Sequence, residues 1–355
     1  MLNSQPGGMS FAAQICAATD QAFRKHPKPL TLDLEIASVA IQLKATNPSL
    51  LAIFSSAIEH HRVARGHPKA LIRLWSAADA AIERPRMPEA IRQRVIRRCK
   101  DLAPGEPHLI DFDPGGRMIT VINPDIAQVN VCLSSIKYLP NWERAAPLRS
   151  ALNWILNQQD IHILHAAAVS DTSGGALLLG AGGAGKSSAA LRCYQAGMTY
   201  LGDDLCAIQA CSTPRVFNVY GTAKTLWSDL EKFQDLQTLL IGQPGSLKAI
   251  YALNKAPTNM IGASSDLRVL LLLDRSLPVG TVRRGNPAKA VAIAASSTAS
   301  FLPSSGQPML SALADIARRL PVLSVSLGEE PQRAAALVRR AIREPEQLLQ
   351  DCDDA

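Results

Sequence analysis

The sequence predicts an α/β protein, a layered domain with a phosphate-binding loop at its central sheet, preceded by a smaller α+β domain. Three observations predict it. Gly180-Ala-Gly-Gly-Ala-Gly185-Lys186-Ser187 is a complete GxxxxGK[ST], a loop that joins a strand to a helix. From Ile161 onwards, strand-like and helix-like segments intermix. Ahead of them lies a stretch with its own strands and helices and most of the chain's formal charge of +7. A length of 355 residues leaves room for two domains.

Residues 1–26 are rich in Gly, Ala and Ser and are expected to be flexible. The first domain is expected over 27–158. Thr31-Leu-Asp-Leu-Glu-Ile-Ala-Ser-Val-Ala-Ile-Gln-Leu43 alternates as strands do. Asn47 is placed to cap a helix running to about His61, with Pro48 in its first turn. A second helix is expected over 87–100. Strands follow near 107–112, 117–123 and 127–132, the first two joined by an Asp113–Gly116 hairpin turn. A helix over about 145–158 closes the domain.

The second domain is expected over 159–345, with an acidic tail at 346–355. Strand-like runs occupy 162–169, 176–180, 199–208, 215–220, 267–273 and 322–327. Helices fit at 186–196, 286–295, 308–320 and 331–343. Gly197 suits the left-handed position after a helix, and Asn286-Pro287 suits a helix start.

Composition narrows the function classes. Apolar residues make up 47% and charged residues 19%, which argues against a wholly disordered chain. No apolar run reaches the roughly 18 residues of a membrane span, so no membrane partner is expected. The N-terminus has no Lys or Arg ahead of its apolar residues, unlike a secretory signal. The seven cysteines form no CxxC and no Cys/His cluster. Reduced thiols in a cytoplasmic protein are the expectation. Homo-oligomer formation stays open. The run Arg84–Lys100 holds seven basic residues and one acidic. It reads as the solvated face of a helix or as a docking patch for an acidic partner, with Arg94, Arg97 and Arg98 at its centre. Nucleic acid is the weaker expectation, because no aromatic residues interleave with these arginines.

The loop defines the candidate site. Gly180, Gly182, Gly183 and Gly185, with Ala184, let backbone N–H groups turn inward around phosphate oxygens. The helix that opens at Lys186, Ser187 and Ser188 adds the partial positive charge of its N-terminus. Lys186 can reach β- and γ-phosphates, and the Ser187 hydroxyl can bind Mg²⁺. These residues imply ATP with Mg²⁺. Asp203-Asp204 follows a strand-like Thr-Tyr-Leu. With about three helical turns between, the pair is expected on the strand beside the loop's own strand. One carboxylate would hold metal or orient a neighbour, and the other would accept a hydroxyl proton. His165, on an apolar strand among alanines, reads either as a core residue or as one over which a ligand lies.

His165-Ala-Ala, the loop Gly180–Ser187 and Leu201-Gly-Asp203-Asp204 together resemble the catalytic domain of HPr kinase/phosphorylase. The resemblance spans roughly 160–345 and is specific over 162–208. It implies a P-loop kinase fold with a mixed central sheet, related to phosphoenolpyruvate carboxykinase. It also implies His165 and Asp203 near phosphate and metal, and Asp204 as the base on an acceptor serine. The chain departs from that family after the aspartates. A Glu-bearing segment is replaced by Asn218–Trp227, with no Glu before Glu231 and with Lys224 standing there. Lys224 reads as a phosphate or substrate contact or as a surface lysine. The whole layout resembles the HPr-kinase-like proteins of ribosomal peptide biosynthesis. In lasso-peptide systems these phosphorylate the terminal serine of a precursor peptide. The expectations are therefore a serine kinase of a precursor peptide, a kinase of an HPr-like carrier protein, or a regulatory nucleotide-binding module.

Overall fold

In the computed structural model the described residues are 9–64, 66–89, 91–92, 109–113, 115–139, 141–241, 248–258, 260–302 and 305–353. Arg94, Arg97 and Arg98, and most of the helix expected at 87–100, lie outside them. The chain divides into two units, Met1–Ser56 with Arg62–Ile155, and Ala57–His61 with Leu156–Ala355.

Of the terminus expected to be flexible over 1–26, residues 1–8 lie outside the described ones, and Phe11–Lys25 form a helix, α1. Ser10 caps it by accepting from the Ala13 N–H. Phe11, Ala12, Ile15, Ala18 and Ala22 fall on one face and are buried against Trp75, Ile119, Val121 and Cys132. The Ala-rich composition that suggested a loose segment makes a narrow apolar stripe that packs closely on a sheet. Trp75 Nε1 donates to Thr19 Oγ1 at 2.9 Å and fixes that packing.

The sheet is formed by β1 (Leu30–Ile36), β2 (Val39–Ala45), β3 (Ala70–Ser76), β4 (Leu109–Phe112), β5 (Met118–Asn123) and β6 (Gln128–Leu133). Their spatial order is β1-β2-β3-β6-β5-β4. β2–β3 and β3–β6 are parallel and the remaining pairs antiparallel. Asp113 turns the β4–β5 hairpin by accepting from the N–H groups of Gly115 and Met118. Helix α2 (Pro48–Ser55) starts at Asn47 as its cap predicts but ends at Ser55. A 3₁₀ turn follows at Glu59–His61, and Ala57–His61 joins the second unit. There the Ala57 carbonyl accepts from Gly221 N–H at 2.7 Å, and His60 Nε2 meets Asn218 Oδ1 at 2.6 Å.

Short helices α3 (Ala77–Ala80), α4 (Asn141–Ala145) and α5 (Arg149–Asn157) complete this part. The single helix expected over 145–158 is interrupted between α4 and α5, where Leu148 takes φ +57°. Glu143 on α4 is buried, with Arg149 Nη2 at 3.7 Å. Burial pushes its carboxyl up to about 7 from 4.5; Arg149 opposes the shift and Asp111 adds to it. A carboxyl raised on folding contributes stability that is present below its unfolded pKa and lost as pH rises through the folded one. The first unit should therefore lose about 3 kcal/mol as pH passes from 4.5 to beyond 7. Glu143→Gln should abolish that loss in denaturant titrations at pH 5 and pH 8. An unchanged pH slope would disprove it.

The second unit is built on a mixed sheet of β7 (His162–Leu164), β8 (Ala167–Asp171), β9 (Gly174–Leu179), β10 (Thr199–Gly202), β11 (Cys206–Gln209), β12 (Arg215–Phe217), β15 (Ser264–Leu273), β16 (Val282–Arg284) and β17 (Val322–Val325). Its main path runs β10-β8-β9-β15-β12-β11-β7, with β17 branching from β15 and carrying β16. β9, β15 and β17 are parallel, so all three end on one edge. The ribbon β13 (Thr222–Leu226) and β14 (Lys248–Ala252) lies off this path.

Leu178, Val269, Leu271, Leu323 and Val325 face α6 (Lys186–Gln195) and α9 (Pro331–Arg343). Leu177, Leu179, Leu270 and Leu272 face α7 (Pro287–Phe301) and α8 (Gly306–Arg319). Alternate residues of the same strands thus serve two helical layers. Asn286 caps α7 through Lys289 N–H, and Gly197 takes φ +80° after α6. The acidic tail is a helix, α10 (Pro345–Asp353), with Leu348 buried in the first of those cores. Glu346 and Asp351 are exposed on it, and Asp351 pairs with Arg340 at 2.8 Å.

Two expected strands are broken. The 199–208 run becomes β10 and β11, separated at Asp203-Asp204. The 162–169 run becomes β7 and β8, separated at His165-Ala166. β7 pairs with β11 and β8 with β9 and β10, so the chain changes sheet position at His165.

Candidate active site

The loop 180–185 leaves β9 and enters α6. Lys186 is buried, and its ammonium turns back to donate to the carbonyls of Gly180 at 2.8 Å and Ala181 at 3.3 Å. Gly180 has to be glycine, because a Cβ there would lie 2.8 Å from the Ala184 Cβ. Gly183 and Gly185 take φ +80° and +95°, which L side chains rarely adopt. Gly182 and Gly183 are exposed, with open space above them. Ala184 and Ser188 are half-buried on either side of the helix start. Burial depresses the Lys186 pKa, and Asp203 and Asp204 work against that shift.

The aspartates reach the loop by a different route from the one expected. β10 pairs with β8, and β8 with β9, so one strand separates them from the loop's strand. Helix α6 closes the gap. Ser187 Oγ, in its first turn, donates to Asp203 Oδ1 at 2.8 Å. Asp203 Oδ2 accepts from the Lys224 N–H at 2.9 Å. Burial raises the Asp203 pKa, and the adjacent Asp204 charge adds to it.

Asp204 sits in the left-handed region at φ +66°, which Asp and Asn tolerate better than most residues. That turn sends its carboxylate away from Asp203, towards Lys224 and His165. Lys224 Nζ donates to Oδ2 at 2.5 Å, and His165 Nε2 lies 3.3 Å from Oδ1. Burial alone would raise the Asp204 pKa. Lys224 and His165 outweigh burial and hold the carboxyl below the ordinary carboxylate range. These two partners favour the charged form of Asp204, though it is buried.

His165 is held in place through its backbone, its N–H donating to Thr298 Oγ1 on α7 at 2.9 Å. The turn before β13 is fixed by Asn218, whose Nδ2 donates to Leu201 O and Tyr220 O. Tyr200 is fully buried under β13 and donates to Thr222 O at 2.8 Å. These contacts hold Lys224 over the aspartate pair. Ser187, Asp203, Lys224, Asp204 and His165 therefore form one continuous polar chain that starts beside Lys186 in the first turn of α6.

Sequence reasoning left Lys224 between two roles, and the fold makes it the partner of Asp204. It missed Arg275, which follows β15. Arg275 Nη2 would stand 3.0 Å from a Cβ built on Gly185, so the guanidinium lies over the loop. No local motif marks it; only the pairing of β15 beside β9 brings it there.

Among the described residues, no three His, Cys, Asp or Glu side chains cluster as a metal site. Ser187 and Asp203 instead offer two converging hard oxygen donors. That set fits Mg²⁺, which keeps several waters and takes its other ligands from substrate phosphates. No disulfide joins the described cysteines, and no described helix is long and apolar enough to cross a membrane.

No family model and no curated protein matches the chain. Among solved structures it is similar to the Hpr(Ser) kinase/phosphatase from Coxiella burnetii, at 15% identity and a TM-score of 0.31. The match covers 52% of this chain and 99% of that one.

Proposed function

We propose that the protein is an ATP- and Mg²⁺-dependent serine kinase that phosphorylates a peptide, the C-terminal serine of a ribosomally made precursor in particular. The observation that carries this reading is the placement of Asp204. It is a buried carboxylate whose charged form Lys224 and His165 favour, next to a phosphate loop and on the Ser187 side of it.

Lys186, the loop amides and the N-terminus of α6 hold the phosphates and stabilise charge on the transferring group. Ser187 and Asp203 would hold Mg²⁺, which when bound neutralises charge on the phosphate oxygens. Asp204 accepts the hydrogen bond of the attacking serine hydroxyl. A carboxylate held at low pKa is a weak base, so it takes the proton late, once the serine oxygen is bonding to phosphorus and has become acidic. Lys224 orients Asp204 and offsets its charge as the phosphoryl group approaches. His165 fixes the other carboxylate oxygen.

The chain carries no glutamate in the segment Asn218–Trp227. That substitution favours a second reading, a regulatory nucleotide-binding module. The intact Lys186, Ser187 and Asp204 favour catalysis. An HPr-like carrier protein is the alternative acceptor within the kinase reading.

The arginine run gives the peptide reading a separate test. Exposed charges attract over about 8 Å in physiological salt. Changing Arg94, Arg97 and Arg98 together to Ser should raise KM for a peptide with acidic residues ahead of its terminal serine. It should leave peptide-independent ATP hydrolysis unchanged, and the effect should shrink with added salt. Mass spectrometry of such a peptide and of an HPr-like protein, each incubated with enzyme and ATP, reads the acceptor. Phosphorylation of the protein alone would replace the peptide reading.

A further inference from the structure

A short piece of chain leaves the first unit and is built into the second. Ala57–His61 follow α2 and precede Arg62, where the chain rejoins the first unit. They lie against the turn 218–221, which leads from β12 into β13. The Ala57 carbonyl accepts from Gly221 N–H at 2.7 Å, and the Gly221 carbonyl accepts from Asn254 N–H at 3.0 Å. Gly221 is therefore pinned on both sides. It has to be glycine, because a Cβ there would lie 2.6 Å from the Asn254 Cβ and 2.9 Å from His60 Nδ1. Next to this contact Glu59 pairs with Lys255, just beyond β14, at 3.3 Å.

His60 completes the contact at Asn218, whose side chain is fully buried and bonded at both polar atoms. Asn218 Nδ2 donates to Leu201 O at 3.2 Å and to Tyr220 O at 3.1 Å. Its Oδ1 is thereby left as an acceptor, and His60 Nε2 donates to it at 2.6 Å. That puts the ring proton on Nε2. Nδ1 is a bare lone pair beside Gly221, buried with no hydrogen-bond partner among the described residues. Burial lowers the His60 pKa, against Asn218 and Glu59, and so favours this uncharged ring. The two carbonyls held by Asn218 belong to the two arms of the site. Leu201 leads into Asp203-Asp204, and Tyr220 leads through Gly221 into β13 and Lys224. One buried amide thus ties the strand end that carries the aspartates to the turn that carries the lysine, and His60 sets the orientation of that amide.

We propose that His60 is a positioning residue for this site: through Asn218 and the pinned Gly221 turn it sets the approach of the Lys224 ammonium to Asp204. The proposal rests on the reading of Lys224 as the cation that orients the proton acceptor of a kinase. Without the Nε2–H, Asn218 Oδ1 is a buried acceptor with no partner, a costly state that rotation of the amide relieves. That rotation breaks the bonds to Leu201 and Tyr220, and the turn before β13 loses its tie to the end of β10. Lys224 carries its charge on a flexible four-carbon stem, so a small backbone shift takes the ammonium off the carboxylate. Lys186 stands on α6, outside this chain of contacts, and keeps its bonds to Gly180 and Ala181. No local motif marks His60, because 158 positions separate it from Asn218.

Acetylation of the full chain with limiting acetic anhydride, read lysine by lysine by mass spectrometry, follows the Lys224 ammonium without an enzyme assay. The Lys224 side chain is 12% exposed and paired with Asp204, so it reacts slowly in the wild type. In His60→Ala it should react at least about fivefold faster, with Lys186 within about twofold of its wild-type rate, because the opening is local. His60→Gln keeps an N–H near the position of Nε2 and should return Lys224 to within about twofold of the wild type. In the transfer assay His60→Ala should lower kcat about 10-fold or more and leave KM for ATP within about twofold, since the reacting geometry is disturbed and the loop is not. His60→Asn, whose amide is too short to reach Asn218, takes the place of His60→Ala if that variant does not fold, with the same expected results. An unchanged Lys224 rate in the folded variant would overturn the proposal. So would a rise shared equally by Lys186, or no recovery in His60→Gln. A wild type that transfers no phosphoryl group would remove the kinase reading, while the acetylation rates judge the role of His60 by themselves.

Discussion

Asp204→Asn should bind ATP as the wild type does and lose about 10²- to 10⁴-fold in phosphotransfer. The amide has nearly the carboxylate's shape, and Asn is among the residues that tolerate φ +66°. The turn is therefore kept, and one oxygen still accepts from Lys224. What is lost is the negative charge that the proposed mechanism uses to draw the acceptor's proton. Asp203→Asn is the control: it should change the Mg²⁺ requirement, because Asp203 shares the Ser187 hydroxyl. Rapid-quench measurement of phosphopeptide formation at saturating ATP separates the two. Near-normal transfer by Asp204→Asn would show that Asp204 is not the proton acceptor.

Lys186→Ala should weaken ATP binding by about 10- to 100-fold, the loss of one charge-assisted hydrogen bond in a buried setting. Turnover should fall further, since the ammonium is matched to charge that grows on the transferring group. The Lys186 ammonium donates to the loop carbonyls of Gly180 and Ala181. Its removal therefore also loosens the loop, and a melting curve is needed beside the calorimetry. A folded variant with unchanged affinity and turnover would exclude Lys186 from phosphate binding.

How much of this was legible in the sequence depends on distance along the chain. The loop was legible, because glycine, lysine and serine at fixed offsets have no common structural use besides phosphate binding. The helix ends at Asn47, Asn286 and Gly197 were legible for the same local reason. The Asp203-Asp204 pair was visible, but its place in the sheet was not, since strand order is a long-range property. The break at His165 was hidden in an unbroken apolar run, where nothing marks a change of pairing partner. Helix α1 was missed because alanines carry a weak apolar signal, although they allow close packing. Lys224 and Arg275 became site residues only through the positions of β13 and β15.

The most direct test follows a labelled γ-phosphoryl group. Wild-type protein is incubated with γ-labelled ATP, Mg²⁺ and a peptide ending in serine. The predicted result is label on the serine in equal amount to the ADP formed, with Asp204→Asn yielding neither. ADP formed at the same rate with or without peptide, its phosphate released to water, would contradict the kinase assignment. So would tight ATP binding with no ADP formed in the presence of either the peptide or an HPr-like protein.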